Sequence, residues 1–493
     1  MPTNIPVQPS YAVSDSADTR LARFSQPLTQ ELQPDQSGFR QLGDGTEALL
    51  ARLALAEMAD KALDVQYYIW RDDLTGRHFA NALLKAADRG VRVRVILDDI
   101  GANADDDVLA AIDLHPNIEI RLFNPVASRT FRGLSMLGDF SRTNRRMHNK
   151  AMIADNQAAI VGGRNIGDEY FDASGDVAFG DLDLISVGPV VRQVSDSFDR
   201  YWNSRSVMPI AALHTVDVAQ LAQLRTDLAA FIQEQRQSPY VQQSLRYLDE
   251  KIASGPDTLF RGQAFVLYDD PAKISQSPEN IEGSLITQFS RLGGSIQHEL
   301  FIISPYFIPG DQGVAWLRGL AQRGVAITIL TNSLAASDVS AVHAGYRRYR
   351  QQLLQAGIRL YELKPGAVER ASELKKHRVG ASRASLHAKT FIFDRSAVFI
   401  GSLNLDPRSI QLNTEVGIVC INADMAQQLD QRLRQNLDHI AWRVQLSPDD
   451  KGRLSWHETG SDGDTVYHDE PQTSVWRRMS VWFVGLLPLE SQL

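Results

Sequence analysis

The chain has 493 residues, more than one ordinary core uses, and its 43% apolar and 22% charged residues mark a globular protein rather than a disordered or fibrous one. A formal net charge of −8 argues against a dedicated nucleic-acid binder, and the single Cys420 excludes an internal disulfide and a cysteine-based zinc site, leaving it as a small buried hydrophobe. No apolar run approaches the roughly 18 residues that cross a bilayer, and no charged start with an apolar stretch opens the chain, so a cytoplasmic compartment is expected.

Residues 1–45 are rich in Pro, Ser, Gln and Thr and read as a loosely ordered arm. A first unit is expected over residues 46–213. Within it ALDVQYYIW (62–70) has strand character, GRHFANALLKAADRG (76–90) has helical periodicity with a glycine stop, and VRVRVILDD alternates as a strand. A helix over 104–114 and the strand IEIRLFN follow. Residues 214–257 read as a helical insert. A second unit, 258–445, replays the order: strand ELFIISPYF (299–307), helix QGVAWLRGLAQRG, strand VAITILTN, a helix over 337–355 and strand IRLYEL. A tail, 446–493, is polar and turn-rich before an apolar end. Strands alternating with helices predict an α/β protein with a largely covered sheet. Tyr68 precedes His148 by 80 residues and Tyr306 precedes His387 by 81, so the halves match in spacing as well as order. The chain is a duplication.

Each unit carries the same constellation in its later part: RRMHNKAMIADNQAAIVGGRNIG (145–167) and ASLHAKTFIFDRSAVFIGSLNLD (384–406). On an extended strand residues two apart share a face, so His148 aligns with Lys150 and His387 with Lys389. If the halves pack about a pseudo-two-fold axis, two imidazoles and two ammonium groups meet in one cleft. That set suits phosphoryl transfer: one imidazole attacks phosphorus, and the other protonates the leaving oxygen and then takes a proton from the acceptor hydroxyl. The ammonium groups and the carboxamides of Asn165 and Asn404 stabilise charge on the phosphate oxygens without a metal, and the glycines before each Asn permit close backbone approach. Asp155 and Asp394 lie an odd number of residues from each Lys and face away, which favours a structural role. An attacking imidazole needs a carboxylate to fix its tautomer, for which Glu415 and either Asp181 or Asp183 are the candidates. No cluster with metal-ligand spacing stands out, and GDGTEALL (43–50) lacks the Gly-Lys-Ser/Thr of a phosphate loop.

The two segments resemble the duplicated HxKx4Dx6GSxN motif of the phospholipase D superfamily. The second copy matches from His387 to Asn404, and the first has Gly163 where the pattern has Ser. The resemblance covers residues 46–493. Within the superfamily it is strongest to the C type of bacterial cardiolipin synthases, through DVQYYIWRDDLTGR, LFNPVASRTF, DFSRTNRRMHNKAM, VGGRNIGDEYF, LTNSLAASDVSAVHAGY and LLPLESQL. It implies two repeats, each a mostly β sheet flanked by helices, packed as a pseudo-two-fold pair with one active site at their junction. It implies His148 as nucleophile and His387 as acid, then base. Lys150, Lys389, Asn165 and Asn404 would hold the phosphate with Gly163 and Ser402 beside it, and Asp155 and Asp394 would complete the motif's catalytic set. Glu415 and Asp181 would each support the His of its own half. The implied activity passes a phosphatidyl group through a phospho-histidine to phosphatidylglycerol, from phosphatidylethanolamine or a second phosphatidylglycerol, with no nucleotide or other cofactor. A phospholipid hydrolase is the alternative, and a nuclease or other phosphodiesterase a more remote one.

Such an enzyme is expected to lie peripherally on an anionic membrane, on the cytoplasmic side of the inner membrane, with phospholipids as its partners and no nucleic acid. Residues 121–150 hold seven Arg or Lys against one Asp, interleaved with Phe131, Leu134, Met136 and Phe140, a composition suited to headgroups and the acyl boundary. The terminal WRRMSVWFVGLLP reads either as an interfacial segment or as a docked helix. His343 is expected to pack or hydrogen-bond on its helix, and ELKKHRVGASRAS (373–385) to form a basic loop or lid. Neither residues nor resemblance point to a partner protein.

Overall fold

The computed structural model describes residues 8–102, 105–126, 129, 139–174, 177–254, 258–337, 339–366, 383–447, 452–460 and 463–485. Strands of the first half are β1 (Gln36–Leu42), β2 (Ala62–Tyr67), β3 (Arg92–Asp98), β4 (Ile118–Phe123), β5 (Ala151–Ala154), β6 (Ala158–Gly162), β7 (Val177–Gly180), β8 (Asp183–Val187) and β9 (Val207–Pro209). Those of the second are β10 (Phe260–Tyr268), β11 (Glu299–Ile303), β12 (Ala326–Asn332), β13 (Arg359–Leu363), β14 (Arg383–Leu386), β15 (Lys389–Phe393), β16 (Ala397–Gly401), β17 (Val416–Ile421), β18 (Ala441–Leu446), β19 (Leu454–Glu458) and β20 (Thr465–Tyr467). Eighteen of them form one sheet.

The duplication is plain in the strand order. One half runs β1-β8-β6-β5-β2-β3-β4 and the other β10-β17-β16-β15-β11-β12-β13, with β2, β3, β4 parallel to one another and β11, β12, β13 likewise. The seam is the antiparallel pair β1–β10, which sets Gln36 against Gln263. The supposed arm therefore supplies a central strand. QSGFRQL offers only Phe39 and Leu42 as large apolar residues, so its place rests on backbone ladders to β8 and β10, which composition does not reveal.

Helices α1 (Arg20–Thr29), α2 (Gly45–Met58), α3 (Leu74–Asp88), α4 (Asp106–Asp113) and α5 (Pro189–Trp202) belong to the first half. Asp44 and Asp73 cap α2 and α3 by accepting the Glu47 and Gly76 N–H groups. The insert forms α6 (Ala219–Gln235) and α7 (Pro239–Ser254); the chain breaks before Pro239, which has no N–H to continue α6. In the second half come α8 (Leu285–Gly293), α9 (Gly310–Gln322), α10 (Ser340–Tyr346), α11 (Arg350–Gln355), α12 (Ala423–Ile440) and α13 (Val475–Gly485). The single helix expected over 337–355 is thus two, separated around the fully buried Arg350, which turns in to bond Glu470 at 2.6 Å. The glycine stops hold: Gly90 and Gly324 follow α3 and α9 at φ of +93° and +90°, a conformation costly for any residue with a Cβ.

Every residue of β2 is buried, Asp64 included, because Arg94 opposite it on β3 bonds Asp64 at 2.6 Å and Asp199 of α5 at 2.7 Å. One of the three large apolar clusters crosses the junction, joining Phe39, Met147 and Val161 of one half to Val266, Ile303 and Ile400 of the other. The basic-apolar stretch from Phe131 to Met136, most of the 373–385 loop and the final LLPLESQL lie outside the described residues.

Candidate active site

The motif histidines stand just before the strands that follow them, β5 and β15, rather than on them. Each is tied to the opposite half. The His148 N–H donates to the Thr414 carbonyl at 2.8 Å, and the His387 N–H to that of Gly180 at 2.8 Å. Glu415 and Asp181 are the next residues along, so the backbone contact brings each carboxylate to the other half's imidazole. His148 Nδ1 donates to Glu415 at 2.9 Å, and His387 Nδ1 to Asp181 at 2.6 Å. The sequence expectation paired each carboxylate with its own half's histidine; the structure crosses them. Asp183, the other candidate, is committed elsewhere, to Arg52 at 2.8 Å and Arg164 at 3.3 Å.

With Nδ1 protonated and held, each imidazole keeps its lone pair on Nε2, as an attacking or proton-accepting nitrogen requires. Lys150 donates to the His148 carbonyl at 2.6 Å, and Lys389 donates to that of His387. Both ammonium groups are buried, as is Asn165, whose amide oxygen accepts the Ile69 N–H at 3.1 Å. Asn404, also buried, has an amide oxygen with no partner among the described residues.

Burial, reinforced by Lys150 and Lys389, pushes His148 down to about 4 against the pull of Glu415. Burial and the same two lysines push His387 down to about 3. Burial also takes Lys150 well below the usual range of an ammonium group. The carboxylates move oppositely to what burial alone would do: His148 and Lys150 hold Glu415 below its ordinary range, and His387 and Lys389 hold Asp181 below its own. Near pH 7 the free site thus carries two neutral imidazoles on two ionised carboxylates. As the nucleophile that the sequence resemblance implies, His148 would lose its lone pair only when pH falls through that lowered value. With a donor whose leaving group needs no protonation, kcat/KM, which reports the free enzyme, is expected to stay flat from pH 8 to about 5 and to drop near 4. An acid limb at the ordinary imidazole value of about 6.5 would contradict this.

The remaining motif residues fall in two groups. Gly163 and Ser402, expected beside the phosphate, instead back the carboxylates. Ser402 Oγ donates to Glu415, whereas a Cβ on Gly163 would lie 2.2 Å from Asp181 Oδ1. The glycine therefore makes room for the shorter carboxylate, whose Oδ1 accepts the Leu182 N–H at 2.8 Å in place of a serine hydroxyl. Asp155 and Asp394 lie at the far ends of β5 and β15, away from the imidazoles. Asp155 accepts the N–H groups of Asp60, Lys61 and Ala62 at 2.8–2.9 Å, and Asp394 those of Gln297, His298 and Glu299 at the same distances. Each ties its hairpin to the start of the neighbouring strand, β2 or β11.

Four residues join the site that their local sequence did not assign to it. Tyr68 packs edge-on to His148 with ring centroids 5.2 Å apart, and Tyr170 to His387 at 5.3 Å. Asp98, at the end of β3, accepts the Met147 N–H at 2.9 Å, and Asn332, in the equivalent place on β12, accepts that of Leu386 at 3.0 Å. Both hold the residue preceding a histidine. Their matched positions at parallel-strand ends were the available signal. His343 is buried on α10 against Arg350 and Glu470. Among the described residues no three His, Cys, Asp or Glu side chains gather as a metal-ligand group.

The family model "Cardiolipin synthase, PLD-like domain" matches residues 52–202 and 294–437. Cardiolipin synthase C of Escherichia coli is 43% identical over 481 residues, which are 96% of this chain and 99% of that protein. Cardiolipin synthase A of Pseudomonas entomophila is 27% identical over 80% of this chain and 67% of its own. The crystal structure of phosphatidylserine synthase from Haemophilus influenzae superposes with a TM-score of 0.59 at 13% identity, covering 96% of this chain and all of that one, which is a likeness of fold.

Proposed function

The chain belongs to the cardiolipin synthase, phospholipase D-like family, and on that premise we propose that it is a phosphatidyltransferase that makes cardiolipin at the junction of its halves. The observation that carries this reading is the crossed pair, two imidazoles each oriented by a carboxylate of the other half and flanked by two buried lysines. His148 Nε2 attacks the phosphorus of a donor phospholipid; the P–N bond forms as the P–O bond to the donor alcohol breaks. His387 gives its proton to the leaving oxygen. In the second step it takes the proton of phosphatidylglycerol's free hydroxyl as that oxygen attacks phosphorus and the P–N bond breaks. Atoms and charge balance without a nucleotide, because one phosphodiester replaces another.

His387 must be protonated for the first step. The phosphodiester's negative charge, placed beside Lys150 and Lys389, offsets the repulsion that depresses the imidazole, so His387 takes up a proton from solvent as the donor binds. Lys150, Lys389, Asn165 and Asn404 hold the equatorial oxygens, where charge develops. Phosphatidylethanolamine or a second phosphatidylglycerol serves as donor. Both substrates sit in a bilayer, so the enzyme works at a membrane surface, which we place on the cytoplasmic side of the inner membrane.

Wild type and His148→Ala incubated with defined phosphatidylglycerol and phosphatidylethanolamine vesicles, with products resolved by mass, test the reading. Cardiolipin from wild type alone is expected. Phosphatidic acid as the main product would replace the transferase with a hydrolase, and no phospholipid turnover in any mixture would remove the lipid assignment.

A further inference from the structure

The last described helix, α13, packs one face on the protein and leaves the other bare. Val481 is buried and Val484 partly so, against Leu334 and Ala344 of the segment that follows β12. Val475, Trp476, Met479, Trp482 and Phe483 are exposed, Trp476 at 79%. At 100° per residue these five fall within one third of the helix circumference, so they form a single apolar stripe rather than scattered exposures. Two tryptophans and a phenylalanine on one stripe are the composition of a membrane-interface face, where an apolar ring body meets headgroup polarity.

Charge and position agree. Beside the stripe lies a recess of about 680 Å³ whose lining includes Trp482, Met479 and four arginines, Arg347, Arg350, Arg453 and Arg478, against two carboxylates, Asp469 and Glu470. Arg350 is buried between Glu470 at 2.6 Å and Glu362 at 2.9 Å, and Arg478 approaches Asp469 at 3.7 Å, so the exposed Arg347 is the arginine the recess presents outward. The helix sits at the catalytic end of the sheet. Asn332, the last residue of β12, bonds Leu386 next to His387, and Leu334, two residues on, lies under Val481. Arg477 of α13 reaches back to the Ser337 carbonyl at 2.9 Å and fixes the helix there.

We propose that the aromatic stripe of α13 and the arginine recess beside it form a seat for a bilayer surface rich in anionic phospholipid, which holds the enzyme with its catalytic end toward the membrane. A second copy of the chain fits less well, because a two-fold contact through this face sets arginines against arginines. The proposal rests on the phospholipid reading of the cleft, yet the two fail separately, since the stripe touches neither histidine.

The test is sedimentation with vesicles of phosphatidylcholine alone and with about one third phosphatidylglycerol. The proteins are the full chain, a Trp476→Ser/Trp482→Ser/Phe483→Ser variant and Arg347→Glu. The triple variant is expected to bind mixed vesicles at least tenfold more weakly. Arg347→Glu, on an exposed side chain, is expected to lose about tenfold on mixed vesicles and nothing on neutral ones. Both should melt with wild type and turn over a soluble short-chain phospholipid within about twofold of it. Undiminished vesicle binding by the triple variant would overturn the seat, and so would a wild-type dimer that this variant splits without change in lipid affinity. Failure of wild type to turn over the short-chain lipid, with vesicle binding intact, would instead sink the reading of the cleft and leave the seat standing.

Discussion

Glu415→Gln is expected to lower phosphatidyl transfer by about 10³–10⁴-fold while leaving the fold intact, although Glu415 lies 267 positions from the histidine it serves. The amide keeps the size of the carboxylate but offers no charge to hold Nδ1–H toward it, so His148 loses its fixed tautomer and its lone pair leaves Nε2 for part of the time. Glu415 is fully buried and also receives the Ser402 hydroxyl, so the altered group has no solvent to compensate it. The crossed geometry makes a sharper claim. With a phosphatidyl donor whose leaving group is p-nitrophenolate, departure needs no acid, and the burst of p-nitrophenolate reports attack by the nucleophile alone. Glu415→Gln and His148→Ala should lose the burst. Asp181→Asn and His387→Ala should keep it and fail afterwards, at transfer to the acceptor. If instead Asp181→Asn abolishes the burst and Glu415→Gln spares it, the roles of the two histidines are exchanged.

Asp155→Ala is expected to fail through stability rather than chemistry. Its carboxylate is wholly buried and accepts three backbone N–H groups at the start of β2, and the residue itself stands at a φ of +52°. Hydrogen bonds to a charged acceptor contribute about 1.5–3 kcal/mol each, partly regained by water at the strand end, and alanine tolerates the left-handed backbone less well. A loss of about 3–5 kcal/mol follows, which lowers the melting temperature by roughly 6–10 °C for a cooperative unit of half this chain. Below that transition the folded fraction should turn over within about threefold of wild type. A variant that melts with wild type but has lost a hundredfold in kcat would place Asp155 in the chemistry instead. Asp394 offers a check through pH. Three N–H groups hold its pKa down against burial, so its contribution is present above the ordinary carboxylate value and is lost as pH falls through the lowered one.

The sequence by itself determined the duplication, the strand–helix alternation from β2 to β4 and from β11 to β13, the glycine stops of α3 and α9, and the pairing of each histidine with a lysine on one side of the chain. These are properties of spacing and period, which a linear string carries directly. It also placed Asp155 and Asp394 away from the cleft by parity alone. Tertiary structure decided the rest. Parity could not say whether Asp181 or Asp183 faces a histidine, since both share one side of an extended run; the choice falls to Arg52 and Arg164, which claim Asp183. Polar composition hid β1, because a strand held by ladders on both edges needs few apolar side chains. The crossing of Glu415 to His148 and Asp181 to His387, the ring contacts of Tyr68 and Tyr170, and the bare face of α13 are all set by segments that meet only after the two halves pack. No local period encodes which half a side chain will find across a junction between repeats, because identical repeats offer the same partners within a half and between halves, and only the packed seam distinguishes them.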